Sequence, residues 1–142
     1  MRTRLGQARR PGETGFTLVE LLVVVAIAGI LMSAAVPMFL RARNVAYDAA
    51  IQSDLRNAST AEETYWEENN AYSGQSSVGT DLTLEGFHFS AKSNYNGNAA
   101  TISSHLDSTG TKYCLTSTSR SGRTYIYSSS DGILAKNQTC GF

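Results

Sequence analysis

Three kinds of residue in this 142-residue chain have the type and placement to do chemistry. The first is Glu20, the only charge in the 25 residues from Phe16 to Leu40. A charged residue at the centre of a membrane helix costs roughly 2.5–3.5 kcal/mol on insertion scales, less near an interface. A carboxylate placed there is therefore read as a site that awaits a partner. The second kind is the cysteine pair, Cys114 and Cys140, far downstream of the apolar run. If that part of the chain is exported, the two are expected to pair; two buried thiols are the alternative. A bond between them would close a loop worth roughly 3–4 kcal/mol. The third kind is His88 and His105, which are 17 residues apart and lack a clustered set of acidic or cysteine ligands. They read as histidines on strand faces, and no metal site is expected. No Ser-His-Asp arrangement and no phosphate-cradling glycine loop is visible, so neither catalysis nor a cofactor is expected. The chemistry on offer is charge pairing and disulfide closure.

These groups need elements to position them. Residues 1–15 carry Arg2, Arg4, Arg9 and Arg10 against Glu13, a net charge of +3, while the remainder carries −3 and the whole is neutral. A basic head on an apolar run is the profile of an export signal or of an N-in membrane anchor. Phe16 to Leu40 is long enough to cross a hydrocarbon core of about 30 Å as a helix. Arg41 and Arg43 end the run, and the four leader arginines outnumber them, which sets an N-in, C-out orientation. Beyond it Tyr47, Ile51, Leu55, Ala58, Ala61 and Tyr65 recur at steps of three or four and form one apolar stripe, into which Asp54 and Glu62 intrude. No Gly or Pro interrupts residues 38–73, so the pattern predicts one helix from about Phe16 to Asn69, on the order of 80 Å long. Its residues 16–40 are apolar all round and its residues 41–69 amphipathic. Something outside the chain must cover the first part. Pro37 lacks an amide hydrogen and predicts a kink in the isolated helix.

At Asn69 the composition changes to Ser, Gly and Asn, which are turn formers. Strand character then appears in Phe87–Ser93, Ala99–Leu106, Lys112–Thr118 and Arg123–Ser129. Phe87 and Phe89 alternate with His88, and Thr124 to Tyr127 alternates similarly. Gly97, Gly110 and Gly122 fall in the gaps, where hairpin turns need them. Residues 70–142 are thus expected to form a head of about four antiparallel strands, a meander packed on the helix stripe. The fold class is α+β. Within it residues 86–142 are mildly basic, with Lys92, Lys112, Arg120, Arg123 and Lys136 against Asp107 and Asp131. A solvated face is the ordinary reading of such a set, and contact with DNA the less favoured one.

The run Gly15-Phe16-Thr17-Leu18-Val19-Glu20, followed by the apolar stretch, resembles the processing signature of type IV prepilins. The resemblance is close over residues 12–45 and one of architecture beyond them. It implies removal of the leader, residues 1–15, by a membrane prepilin peptidase between Gly15 and Phe16, and N-methylation of the new Phe16 amine. It implies that Glu20 pairs with the N-terminal amine of a neighbouring subunit as a homopolymeric filament grows from an assembly platform in the membrane. It implies that the segment between Gly29 and Pro37 can lose helicity in the filament, and that Cys114 and Cys140 bound a disulfide loop on the head. The subunit would reside in the cytoplasmic membrane before assembly and on the cell surface afterwards. Adhesion, twitching motility or DNA uptake is what such a filament would serve. A pseudopilin of a type II secretion system shares the same N-terminus. A secreted β-rich binding domain behind a conventional signal peptide, cleaved after Ala35, is the reading from a different class, and Glu20 does not fit it.

Overall fold

The computed structural model describes residues 15–74, 77–78, 87–98, 100–132 and 134–141. The expected leader therefore lies, except for Gly15, outside the described residues. The chain divides into two units, Met1–Phe39 and Leu40–Phe142.

The described part of the first unit is helical from Leu18, the start of helix α1 (Leu18–Asn69). Apart from Thr17, Glu20 and Ser33 its side chains are apolar, and none is buried: Leu18, Leu21, Leu22, Val25, Ile27, Ile30, Leu31 and Val36 are all exposed. Backbone hydrogen bonding is satisfied within a helix whatever surrounds it, which is why so greasy a segment stays regular. Both Gly29 and Pro37 lie inside α1, whose helical assignment runs through them unbroken.

The second unit has its own core. Ile51, Leu55, Ala58 and Ala61 form the buried face of α1, as the stripe requires. The helix stops where Asn70 turns into the left-handed region, φ 53°, with its amide donating to the Trp66 carbonyl at 2.8 Å. A five-stranded antiparallel meander follows in sequence order: β1 (Ser77–Val78), β2 (Thr101–Leu106), β3 (Tyr113–Thr118), β4 (Thr124–Ser128) and β5 (Leu134–Lys136). Register is set by Ser104 opposite Leu115 and by Leu115 opposite Tyr127. Period-two alternation points Ile102, Tyr113, Leu115 and Tyr125 to the helix side, where they pack with Phe87, Tyr95 and Ala100. Gly110 and Gly122, at φ 69° and 84°, make the turns after β2 and β3, as expected; Gly97 instead sits in a short 3₁₀ turn, Asn96–Asn98.

One expected strand is absent. Phe87–Ser93 does not join the sheet: residues 87–91 have no regular structure, and a 3₁₀ turn (Lys92–Asn94) follows. The alternation is real, since Phe87 is buried, His88 exposed and Phe89 half-buried. What prevents a strand is the backbone's choice of partner. The Ser90 amide donates to Asp54 of α1 at 3.0 Å rather than to a neighbouring strand, so the segment is tied to the helix.

Candidate functional site

Glu20 sits in the first turn of α1, and its partner in this chain is Thr17. The Thr17 amide and hydroxyl both donate to Glu20 Oε2, at 3.1 and 2.8 Å, while the Glu20 amide donates to Thr17 Oγ1 at 3.2 Å. This is a capping box: two side chains reciprocally satisfy amides that a helix start leaves without acceptors. The Thr17-Leu18-Val19-Glu20 spacing announces it in the sequence, though a reading fixed on the charge passes over it. Gly15 and Phe16 stand just before the cap and are exposed, Phe16 by 79%. A side chain added at Gly15 would meet no atom within 4 Å. The junction is therefore accessible to another protein, and the chain itself imposes no steric need for glycine there.

From Leu18 to Leu40 the site continues as an exposed apolar surface. Gly29 interrupts it with a gap in which a Cβ would likewise meet nothing within 4 Å. Small residues of this kind let a second helix approach closely. The carboxylate at the start, the apolar flank and the gap together form a largely apolar surface that no described residue covers.

Sequence reasoning missed a second set of carboxylates. Asp48, Asp54 and Glu62 are all buried along the head-facing side of α1. Asp54 Oδ2 accepts from the Ser90 amide, from the Ser90 hydroxyl at 2.7 Å and from the Tyr95 hydroxyl. Glu62 accepts from the Ser73 amide at 2.9 Å and hydroxyl at 2.6 Å. Asp48 takes the hydroxyls of Ser119 and Ser121 and pairs with Arg123, the one ion pair among the described residues. Burial alone would raise the Asp48 carboxyl, but those hydroxyls and the guanidinium outweigh it and hold the group below its ordinary value. Burial and the Asp54 hydrogen bond push the Tyr95 phenol up. These acids are therefore tethers, each holding one loop of the head to the helix. Their partners lie as far as 75 residues away in sequence, so no local spacing could reveal them.

The remaining candidates fall as follows. Cys114 and Cys140 are bonded, with Cα atoms 5.9 Å apart, and hold the C-terminal segment against β3. His88 and His105 are both exposed, and among the described residues no cluster of three metal-ligating side chains exists. Of the five basic residues in 86–142, Arg123 is engaged by Asp48, and the Arg120 guanidinium lies over the Tyr47 ring, 5.7 Å from its centre.

Comparison with known proteins agrees with this geometry. Residues 10–36 match the family described as the prokaryotic N-terminal methylation motif. Over 71 residues, half of this chain, the sequence is 38% identical to the type IV wide pilus major component PilA4 of Thermus thermophilus, covering 54% of that protein. Over 63 residues, 44% of this chain, it is 36% identical to the type IV major pilin protein PilA of Myxococcus xanthus, covering 29% of that protein. The match thus spans about half the length of the first relative and under a third of the second. No solved structure gives a significant match. Over about half its length, and with a prokaryotic N-terminal methylation motif spanning the start of α1, the chain is thus similar to two type IV pilus subunits.

Proposed function

We propose that this chain is the structural subunit of a type IV pilus filament. Prepilin peptidase would cut between Gly15 and Phe16, the new Phe16 amine would be methylated, and residues 16–40 would hold the subunit in the cytoplasmic membrane until the assembly platform extracts it. In the filament the apolar segments would pack together at the centre and the heads would form the surface outside the cell. The observation that carries this reading is the apolar surface of α1 from Leu18 to Leu40, none of it buried and led by a single carboxylate. Exposed apolar area of that extent demands cover. A lipid bilayer covers it in the precursor, and neighbouring helices would cover it in the polymer.

Glu20 explains how the polymer would keep register. Phe16 stands just before the Thr17 cap and Glu20 in the first turn of α1, so the two lie at the same end of the helix. An incoming subunit's N-terminal amine would add to, or displace, the Thr17 contacts at the Glu20 carboxylate of a subunit already in place. Leaving that carboxylate unpaired in the packed core would be costly, so one axial offset wins. Among possible roles, adhesion and twitching motility are favoured over DNA uptake, because Arg120 and Arg123 are engaged within the head and do not form an open basic face.

The test compares surface filaments with the membrane pool of processed subunit. Glu20→Gln keeps shape and hydrogen bonding while removing charge, and is expected to be inserted and cleaved yet to assemble at least tenfold less filament. Wild-type filament from Glu20→Gln would refute charge pairing. If sheared surface fibres lack this chain altogether, the pilus reading fails.

A further inference from the structure

On the side of the sheet away from α1, the head carries two adjoining cavities. Ile102 and Leu115 point to the helix, so Ser103 and Thr116, paired across β2 and β3, point the other way. The first cavity, about 260 Å³, has Asn96, Ser103, Thr116 and Thr118 in its lining. The second, about 470 Å³, lies where the chain returns over the sheet: His105, Thr116 and Thr124 bound it from one side, Gln138 and Thr139 from the other. The bond between Cys114 and Cys140 holds that returning segment in place. Thr116 borders both cavities, so they are neighbours on one face. Among the described lining residues there is no carboxylate, lysine or arginine; the lining is chiefly hydroxyls, with the amides of Asn96 and Gln138 and one imidazole. Hydroxyls both donate and accept. Those of Thr118 and Thr124 bond each other at 3.0 Å, whereas Thr116 reaches the Ser103 carbonyl only at 3.5 Å, the outer limit of a hydrogen bond. A charged ligand would leave water here and meet no opposite charge, which disfavours it. A peptide strand would need an open backbone edge, yet β2 and β3 are interior strands, each paired on both sides.

We propose that this face binds an uncharged carbohydrate chain, with successive sugar rings lying across Thr116 from one cavity into the other. Neutral sugars present a dense set of hydroxyls that donate and accept, as the lining does, and they bring no charge that needs a counterion. The larger cavity falls within the roughly 300–1,000 Å³ of small-ligand sites and the smaller lies just below it, so the pair suits a short run of rings and not one ring alone. The site lies wholly within the unit Leu40–Phe142 and needs no second copy, so it stands independently of the filament reading. Where the chain is a filament subunit, the same site gives adhesion a ligand class, a neutral polysaccharide. Thr116 is its central binding residue, and the disulfide is the clamp that keeps Gln138 and Thr139 facing the sheet.

The experiment is an NMR titration of the full, nitrogen-labelled chain in a zwitterionic detergent that has no sugar headgroup, since a maltoside would compete. Maltopentaose, cellopentaose and N-acetylated chitopentaose are the neutral probes, and an alginate oligomer is the charged control. At least one neutral probe should shift, to saturation, the backbone amides of Asn96, Ser103, Thr116, Gln138 and Thr139, with the same midpoint at low and high salt. Thr116→Leu fills the junction of the cavities with an apolar side chain and should weaken that binding at least tenfold. Thr116→Val keeps the shape and the strand propensity, loses only the hydroxyl, and should weaken it at least threefold. In both variants the disulfide should be intact and the amides of Leu115 and Tyr125 unmoved, which separates a lost contact from a lost fold. No saturable shift with any neutral probe, shifts confined to other residues, or undiminished binding by either variant overturns the proposal. Salt-sensitive binding of alginate in preference to the neutral probes assigns the face to a polyanion and likewise overturns it. None of these outcomes bears on the pilus reading, which turns on whether sheared fibres contain this chain.

Discussion

At the scale of single residues the head is held by acids that act as hydrogen-bond acceptors, and this fixes how it should respond to pH. Asp48 is depressed below its ordinary value, and Asp107 in the β2–β3 turn is held down to about 2 by the Thr109 hydroxyl and the amides of Thr111 and Lys112. A carboxyl depressed in the folded state stabilises above its unfolded value, about 4, and loses that contribution as pH falls through its folded value. Stability should therefore be level above pH ~5 and decline from about pH 4 toward pH 2, and Asp107→Asn should flatten part of the decline. The phenol of Tyr95 is raised, so the sign reverses: folding loses stability as pH rises beyond about 10. Denaturant titrations of the detergent-solubilised chain across pH would check both limbs; a constant midpoint from pH 5 to pH 2 would contradict the tether assignment. Removing a tether should be severe. Asp54→Ala leaves the Tyr95 hydroxyl and both Ser90 donors without their acceptor in the core, an expected loss of about 2–4 kcal/mol in the same titration.

At the scale of elements the two parts of α1 should answer substitution oppositely. Leu55 is fully buried, so Leu55→Ala should cost the head about 2–5 kcal/mol by denaturant unfolding, and a change under 1 kcal/mol would mean the stripe is not its core. Gly29 faces open space, so Gly29→Leu should leave head unfolding unchanged while reducing surface filament, because the added side chain obstructs the approach of a second helix. Normal filament from that variant would show that no neighbour packs at Gly29. The extent of α1 and the positions of β2, β3 and β4 were legible because each rests on a local period or on a turn glycine. Phe87–Ser93 misled because alternation reports which side chains are buried, and a chain tied to a helix by Asp54 can alternate as well as a strand. Asp54 and Glu62 were visible only as flaws in the stripe; their meaning lay in Ser90, Tyr95 and Ser73, which no short window contains. Of the site, the roles proposed for Glu20 and the Gly15–Phe16 junction come from motif alone, whereas the Thr17 cap follows from spacing once helix ends are considered.

At the scale of the whole molecule two units with opposite solvent demands share one chain. Every buried side chain among the described residues lies in the second unit, so removing residues 1–39 should yield a folded, disulfide-bonded head that needs no detergent, whereas the full chain needs it. Size-exclusion chromatography with non-reducing mass analysis would check this; aggregation of the fragment would show that the core depends on the first unit. Cys140→Ser should weaken the head by about 3–4 kcal/mol and expose the C-terminal segment to protease first. The same cross-link also bears on mechanics. Cys114 and Cys140 are 26 residues apart, and a fully extended chain spans at most ~3.6 Å per residue, so the bond withholds on the order of 90 Å of slack. A filament anchored at its tip and hauled from its base loads its subunits in tension. Because β3 carries one half of the bond, β4 and β5 cannot be drawn out as thread unless it is reduced. In the proposed filament this head should act as a short, stiff link under load, and compliance would come from the helices and from the contacts between subunits.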